Sequence, residues 1–136
     1  MGFLRVESTG MLFMYDIELV REVLLQIHEA GKRIERRFSL ISSPEDFLAN
    51  EDGLDRLDAI CMMLITIGES LKNLDKITAS SLLCKYPEVD WKGAKGARDI
   101  ISHHYFDLNA EVVFGICQTD MKGLVATVEK MLVDLD

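Results

Sequence analysis

The sequence predicts an all-α fold, an antiparallel bundle of about four to five main helices joined by short connections. Three observations carry this expectation. Breakers are few, since 136 residues hold only 2 Pro and 9 Gly, which favours long helices over a loop-rich β fold. Apolar residues recur at three- and four-residue steps over long stretches, and no strand alternation, internal repeat or low-complexity tract interrupts them. Hydrophobic residues make up 49% of the chain and charged residues 28%, enough to bury a core and unlike a disordered polymer. The length suits one domain.

The elements follow in order. Asp16 can cap a first helix running to about Phe38, in which Ile17, Val20, Leu24, Ile27, Ile34 and Phe38 build one apolar face. Lys32, Arg33, Glu35, Arg36 and Arg37 crowd its end and read as a solvated face, the basic ones suiting the helix dipole. Ser43-Pro44-Glu45-Asp46 has the pattern of a cap, a proline at the first helical position and acids in the first turn, so a short helix to about Ala49 is expected. Gly53 is expected to break it. A central helix then covers about Leu54 to Leu74, apolar on several faces and therefore packed against more than one neighbour. Gly68 inside it costs about 1 kcal/mol relative to Ala, which a close helix approach would explain. Thr78 can cap a short helix through Lys85, and Pro87 forces an extended turn. Another helix begins near Asp90-Trp91 and reaches about His103. The last runs from about Asn109 to about Leu135 with an apolar stripe through Val113, Leu124, Val128 and Met131.

Composition excludes several classes of function. The formal net charge of -8 argues against wrapping nucleic acid, and DNA is not an expected partner, although a small basic site is still possible. No apolar run approaches the ~20 residues of a membrane span, so no membrane association is expected. Residues 1–14 carry an apolar patch too short for a signal sequence and read as a loose N-terminal extension ahead of one domain over 15–136. Cys61, Cys84 and Cys117 are odd in number, widely spaced and without a C-x-x-C pair, which reads as buried, reduced thiols in a cytoplasmic protein.

The segment from Trp91 to Phe106 carries the chemistry. Two of the 3 histidines, His103 and His104, stand side by side at a helix end. Asp99 lies four residues before His103 and shares its helix face, so its carboxylate can orient the imidazole and favour the protonated ring. Arg98 and Tyr105, seven apart, also align. Arg98 and His103 are five apart, about 140° around an ideal helix. They converge only if the helix ends or bends between them, or if two chains share one site. Lys92, Lys95 and Arg98 step along at three-residue intervals as a basic stripe suited to phosphate, with Ser102 and His104 as further candidate contacts beside it. Polar residues at a helix end also simply cap and solvate, and His28, alone on the first helix, reads as structural. No metal site is expected, because adjacent histidines project apart and no H-x-x-x-H spacing exists. Gly93 and Gly96 lack the strand and the Lys-Ser/Thr of a phosphate loop, and no cofactor is expected.

Arg98-Asp-Ile-Ile-Ser-His103-His-Tyr105 resembles the R-x4-H-x-Y motif of the HEPN superfamily and, within it, of the HepT-like toxins. Ile67-Gly-Glu-Ser-Leu-Lys-Asn-Leu74 is similar to the family's I-G-E-A-L-K-N helix. Tyr86-Pro87, Trp91 and Tyr105-Phe106-Asp-Leu are similar to the flanks of its motif. The similarity covers roughly residues 15 to 135. His104 is an extra histidine at a variable position, and residues 1–14 have no family counterpart.

The resemblance implies a homodimer that brings two motif helices together, and metal-independent cleavage of RNA. Carried over, His103 is the general base or acid for attack of a ribose 2′-OH on the adjacent phosphate, leaving a cyclic phosphate. Arg98 stabilises charge on that phosphate. Tyr105 matches the tyrosine that a partner antitoxin, a minimal nucleotidyltransferase of MntA-like type, modifies with AMP. The added charge and bulk would block RNA entry. Two other readings stand beside this one: a non-catalytic scaffold for such a transferase, which the acidic charge favours, and a ligand-binding bundle unrelated to RNA. The fold alone does not separate them.

Overall fold

The computed structural model describes residues 3–6, 12–103 and 110–136, with side chains described for 15–102 and 110–136. The architecture is the expected all-α bundle, preceded by one short hairpin. Strands β1 (Phe3–Val6) and β2 (Leu12–Tyr15) pair antiparallel with Phe3 opposite Tyr15. The sequence shows no alternation here because four residues are too few to display a period of two. The aromatic and β-branched content of the two segments is what suits them to pairing. β2 ends on the buried Tyr15 and hands the chain to Asp16.

Helix α1 (Ile17–Phe38) starts where expected, with the Asp16 carboxylate accepting from the Leu19 N–H at 3.1 Å. Val20, Leu24, Ile27 and Ile34 on its inner face are fully buried. The short helix after Ser43 is a single 3-10 turn, Pro44–Phe47, whose Asp46 carboxylate accepts from the Ser42 N–H at 2.7 Å and whose Phe47 is fully buried. The ring of Phe38 stacks edge-on against Phe114 at 5.1 Å and lies 6.4 Å from Phe47, joining the end of α1 to this turn and to the last helix.

Gly53 does not break a helix; it lies in the first turn of α2 (Glu51–Thr78). Asn50 caps that turn by accepting from the Gly53 N–H at 2.8 Å. A Cβ at residue 53 would strike the Asp46 carbonyl, so this glycine lets the 3-10 turn lie against the helix start. α2 also runs four residues beyond the expected Leu74. Thr78 is its last residue rather than the cap of another helix, and its hydroxyl donates to the Leu74 carbonyl at 2.9 Å. Nothing in Asp75-Lys76-Ile77 opposes helix; the stop comes from Ala79 and Ser80, both left-handed at φ 51° and 59°. The expected helix through Lys85 is one 3-10 turn, Leu83–Lys85. That turn buries Leu83 and turns Cys84 outward, so Cys84 is exposed, against the expectation of three buried thiols.

The segment expected as one helix from Asp90 to His103 is two: α3 (Trp91–Lys95) and α4 (Ala97–His103), separated at Gly96. Asp90 caps α3 through the Gly93 N–H at 3.0 Å, and the Trp91 indole donates to the Tyr86 carbonyl at 2.7 Å. The last helix is continuous as expected, but contains a π turn: α5 (Ala110–Gly115), π-helical Ile116–Asp120, then α6 (Met121–Asp134).

α2 is the shared element, packing against α1, α3, α4 and α5, while α6 closes the far side of α1. His28 ties α1 to α6 through Glu129 at 2.8 Å, a structural role as expected. No described helix is long and apolar enough to cross a membrane. The close helix approach anticipated at Gly68 is present, since a Cβ there would stand 2.8 Å from the carbonyl oxygen of Ala94 in α3. Gly68→Val would drive a branched side chain into backbone that cannot rotate away. We expect a loss of about 1–3 kcal/mol in urea unfolding. Unchanged or raised stability would show that α3 does not depend on this contact.

Candidate functional site

The break at Gly96 sets the geometry. α3 is held to α2 by the Gly68 contact, and α4 leaves Gly96 with the buried Ile101 as its anchor in the core. Arg98, Asp99 and Ser102 therefore face outward, the Arg98 side chain 54% exposed. The backbone of His103 closes α4. The side chain of His103, and all of His104 and Tyr105, lie outside the described residues.

The helix is unbroken from Ala97 to His103, and the bend at Gly96 precedes Arg98. Arg98 and His103 thus keep the separation of about 140° that an ideal helix gives them. Of the two routes to convergence considered from the sequence, a bend between the two residues does not occur. Asp99 and His103 stay on one face of α4.

The basic stripe is placed in detail. Lys95 is locked to Asp75 of α2 at 2.6 Å in a partly buried pair. Arg98 lies 3.9 Å from Glu69 of α2, a loose contact between two exposed side chains. Glu69 also takes the Lys72 ammonium at 2.9 Å. The hydrogen-bonded Lys72, with the Arg98 guanidinium beyond it, holds the Glu69 carboxyl below its ordinary range. Lys92 is exposed at the start of α3. The cations of α3 and α4 are therefore matched by a polar face of α2 that sequence reasoning did not single out. Its signal was present, because Glu69, Lys72 and Asp75 recur at three-residue steps within a helix otherwise read for its apolar side.

Exposed ion pairs of this kind contribute about 0–1 kcal/mol each. They do not rigidly fix Arg98; they bias it toward α2 while leaving the guanidinium open to a stronger anion. A phosphate that accepts two guanidinium hydrogen bonds would outcompete a carboxylate at 3.9 Å. Among the described residues no group of three or more His, Cys, Asp or Glu is gathered as metal ligands would be.

The thiols can be placed too. Burial, with Asp58 nearby, pushes Cys61 up to about 11, and burial pushes Cys117 up to about 12. At pH 8 both stay protonated and inert, since the thiolate is the nucleophile. Iodoacetamide at that pH should label native protein at Cys84 alone, read by peptide mass spectrometry. Fast labelling of Cys61 or Cys117 would contradict the packing.

A family model described as Ribonuclease HepT-like matches residues 27–131. A protein of Methanocaldococcus jannaschii that bears the name "Putative RNase MJ0127" is 33% identical over 78 residues, covering 57% of this chain and 61% of that protein. The matched part thus spans about three fifths of that relative's length. No solved structure matches the chain at comparable significance.

Proposed function

Because the chain belongs to the HepT-like ribonuclease family, we propose that it is a metal-independent endoribonuclease acting as the toxin of a toxin–antitoxin pair in the cytoplasm. The family match over residues 27–131 is the observation that carries this reading. The exposed Arg98 on α4 and the relative's name support it.

The motif Arg98-x4-His103-x-Tyr105 assigns the roles. His103 takes the proton from a ribose 2′-OH, the oxygen attacks the adjacent phosphorus, and a cyclic phosphate forms as the bond to the 5′ oxygen breaks. The leaving 5′ oxygen takes a proton from the imidazolium formed at His103 or from water, and loss of any proton still on the ring to solvent restores the neutral imidazole. Arg98 stabilises the negative charge that accumulates on the phosphate oxygens. Asp99, one turn before His103, orients the ring. Lys92, Ser102 and His104 contact the RNA backbone, and Lys95, paired with Asp75, adds positive charge beside them without leaving that partner.

Because a continuous helix sets positions 98 and 103 about 140° apart, the working site in this reading combines Arg98 of one protomer with His103 of the other in a homodimer. A minimal nucleotidyltransferase antitoxin transfers AMP to the Tyr105 hydroxyl, placing negative charge and bulk where RNA would enter.

The net charge of -8 favours a second reading, a non-catalytic partner of the transferase. One experiment separates them. Purified protein, with Tyr105 shown by mass to carry no AMP, is incubated with bulk RNA and EDTA. Wild type should cut, leaving cyclic phosphate ends. His103→Ala should lose about 10²–10⁴-fold in rate and Arg98→Ala about 10²–10³-fold. No cutting by the unmodified wild type would leave the scaffold reading.

A further inference from the structure

A cavity of about 350 Å³ lies between α2, α3, α4 and the last helix. Its deep walls are buried and apolar: Leu64 and Ile67 from α2, Ile101 from α4, Val113 and Met121 from the last helix. Its rim is different. Glu88, Asp90 and Asp120 are exposed carboxylates, and Thr119 adds a hydroxyl. No Lys or Arg is among the described lining residues.

The rim acids are only partly engaged. One oxygen of Asp90 caps the Gly93 N–H at 3.0 Å, Glu88 lies 3.8 Å from Lys130, and Asp120 has Thr119 at 3.2 Å.

We propose that this cavity is a binding site for a small organic cation, a compact apolar body carrying one ammonium group. The volume falls within the usual span of ligand pockets, about 300–1,000 Å³, and such pockets combine apolar walls with a few polar groups that orient the ligand. The carboxylate rim repels anions, nucleotides included, and attracts a cation. An apolar body fills the buried floor while its ammonium takes charge-assisted hydrogen bonds at Asp120 and Glu88.

Two backbone features border the cavity. The π turn Ile116–Asp120 supplies Ile116, Thr119 and Asp120 to it, and such turns cluster at functional sites. Gly123, in the next turn, also lines it, and a Cβ there would meet nothing within 4 Å among the described residues, so the cavity is open at this point. The site uses none of the three fixed residues of the RNA-cutting motif, Arg98, His103 and Tyr105, and stands whether or not the chain cleaves RNA.

The test is titration of the full-length, 15N-labelled chain with 2-phenylethylammonium, and in parallel with its anionic isostere 3-phenylpropionate, followed by NMR. The ammonium should give saturable shifts centred on Ile67, Ile101, Val113 and Asp120, and the anion none. Asp120→Asn, an exposed change that leaves the core alone, should weaken binding about tenfold. Gly123→Leu should abolish it by filling the cavity. Absence of saturable shifts, as when a second copy of the chain or residues 104–109 occupy the cavity, would overturn the proposal. So would equal binding of the anion, or undiminished affinity in Asp120→Asn.

Discussion

With no side chain at Gly68, α2 lets the backbone of α3 come so near that a Cβ would stand 2.8 Å from the Ala94 carbonyl oxygen. Much of the functional end of the molecule follows from this approach. α3 is only five residues long and could not hold its place alone, because helices so short are marginal in water. Docked against α2, it fixes where the chain turns at Gly96 and hence where α4 begins. α4 then buries Ile101 and turns Arg98 outward. The same docking brings Lys95 onto Asp75 and Arg98 toward Glu69. The steric contact comes first in this hierarchy, and the ion pairs refine it.

The electrostatics of the chain can be understood in the same terms. An acidic protein cannot attract RNA by overall charge, and its cations near α4 are balanced by carboxylates of α2. The two pairs differ in kind. Lys95 and Asp75 are partly buried and close, which suits a fixed strut. Arg98 and Glu69 are both exposed and barely within reach, which suits a cation that is parked rather than committed. In the proposed reaction the substrate phosphate takes Arg98 from Glu69 while Lys95 stays where it is. Sequence spacing alone gives these two cations one role; the structure separates them.

What could be read from sequence was what repeats with the helical period. The Asp16 cap, the buried face of α1, the central position of α2 and the close approach at Gly68 all follow from residue spacing, and the structure contains each of them. The misjudged features are ones of backbone geometry that leave the apolar spacing unchanged. Gly53 looks like a breaker until the Asp46 carbonyl lies against it. The end of α2 is set by the left-handed Ala79 and Ser80, residues with no intrinsic taste for that conformation. The break at Gly96 and the π turn at Ile116–Asp120 change helix geometry without interrupting the hydrophobic pattern. At the site, the motif residues were visible as a cluster, but the carboxylates that face Lys95 and Arg98 came from a different helix and needed the fold to reveal them.

The central proposal is that Arg98 and His103 act together across two chains, because the continuous helix α4 sets them about 140° apart. The most direct measurement is RNA cleavage by mixed dimers, prepared by co-expressing Arg98→Ala chains with His103→Ala chains. Each variant alone should be inactive. A mixed dimer holds one site with intact Arg98 from one chain and intact His103 from the other, so random assortment should restore about a quarter of the wild-type rate. If the mixture stays as inactive as its parents while wild type cuts, the two residues do not form a site across the interface in this way, and the account is wrong at its centre.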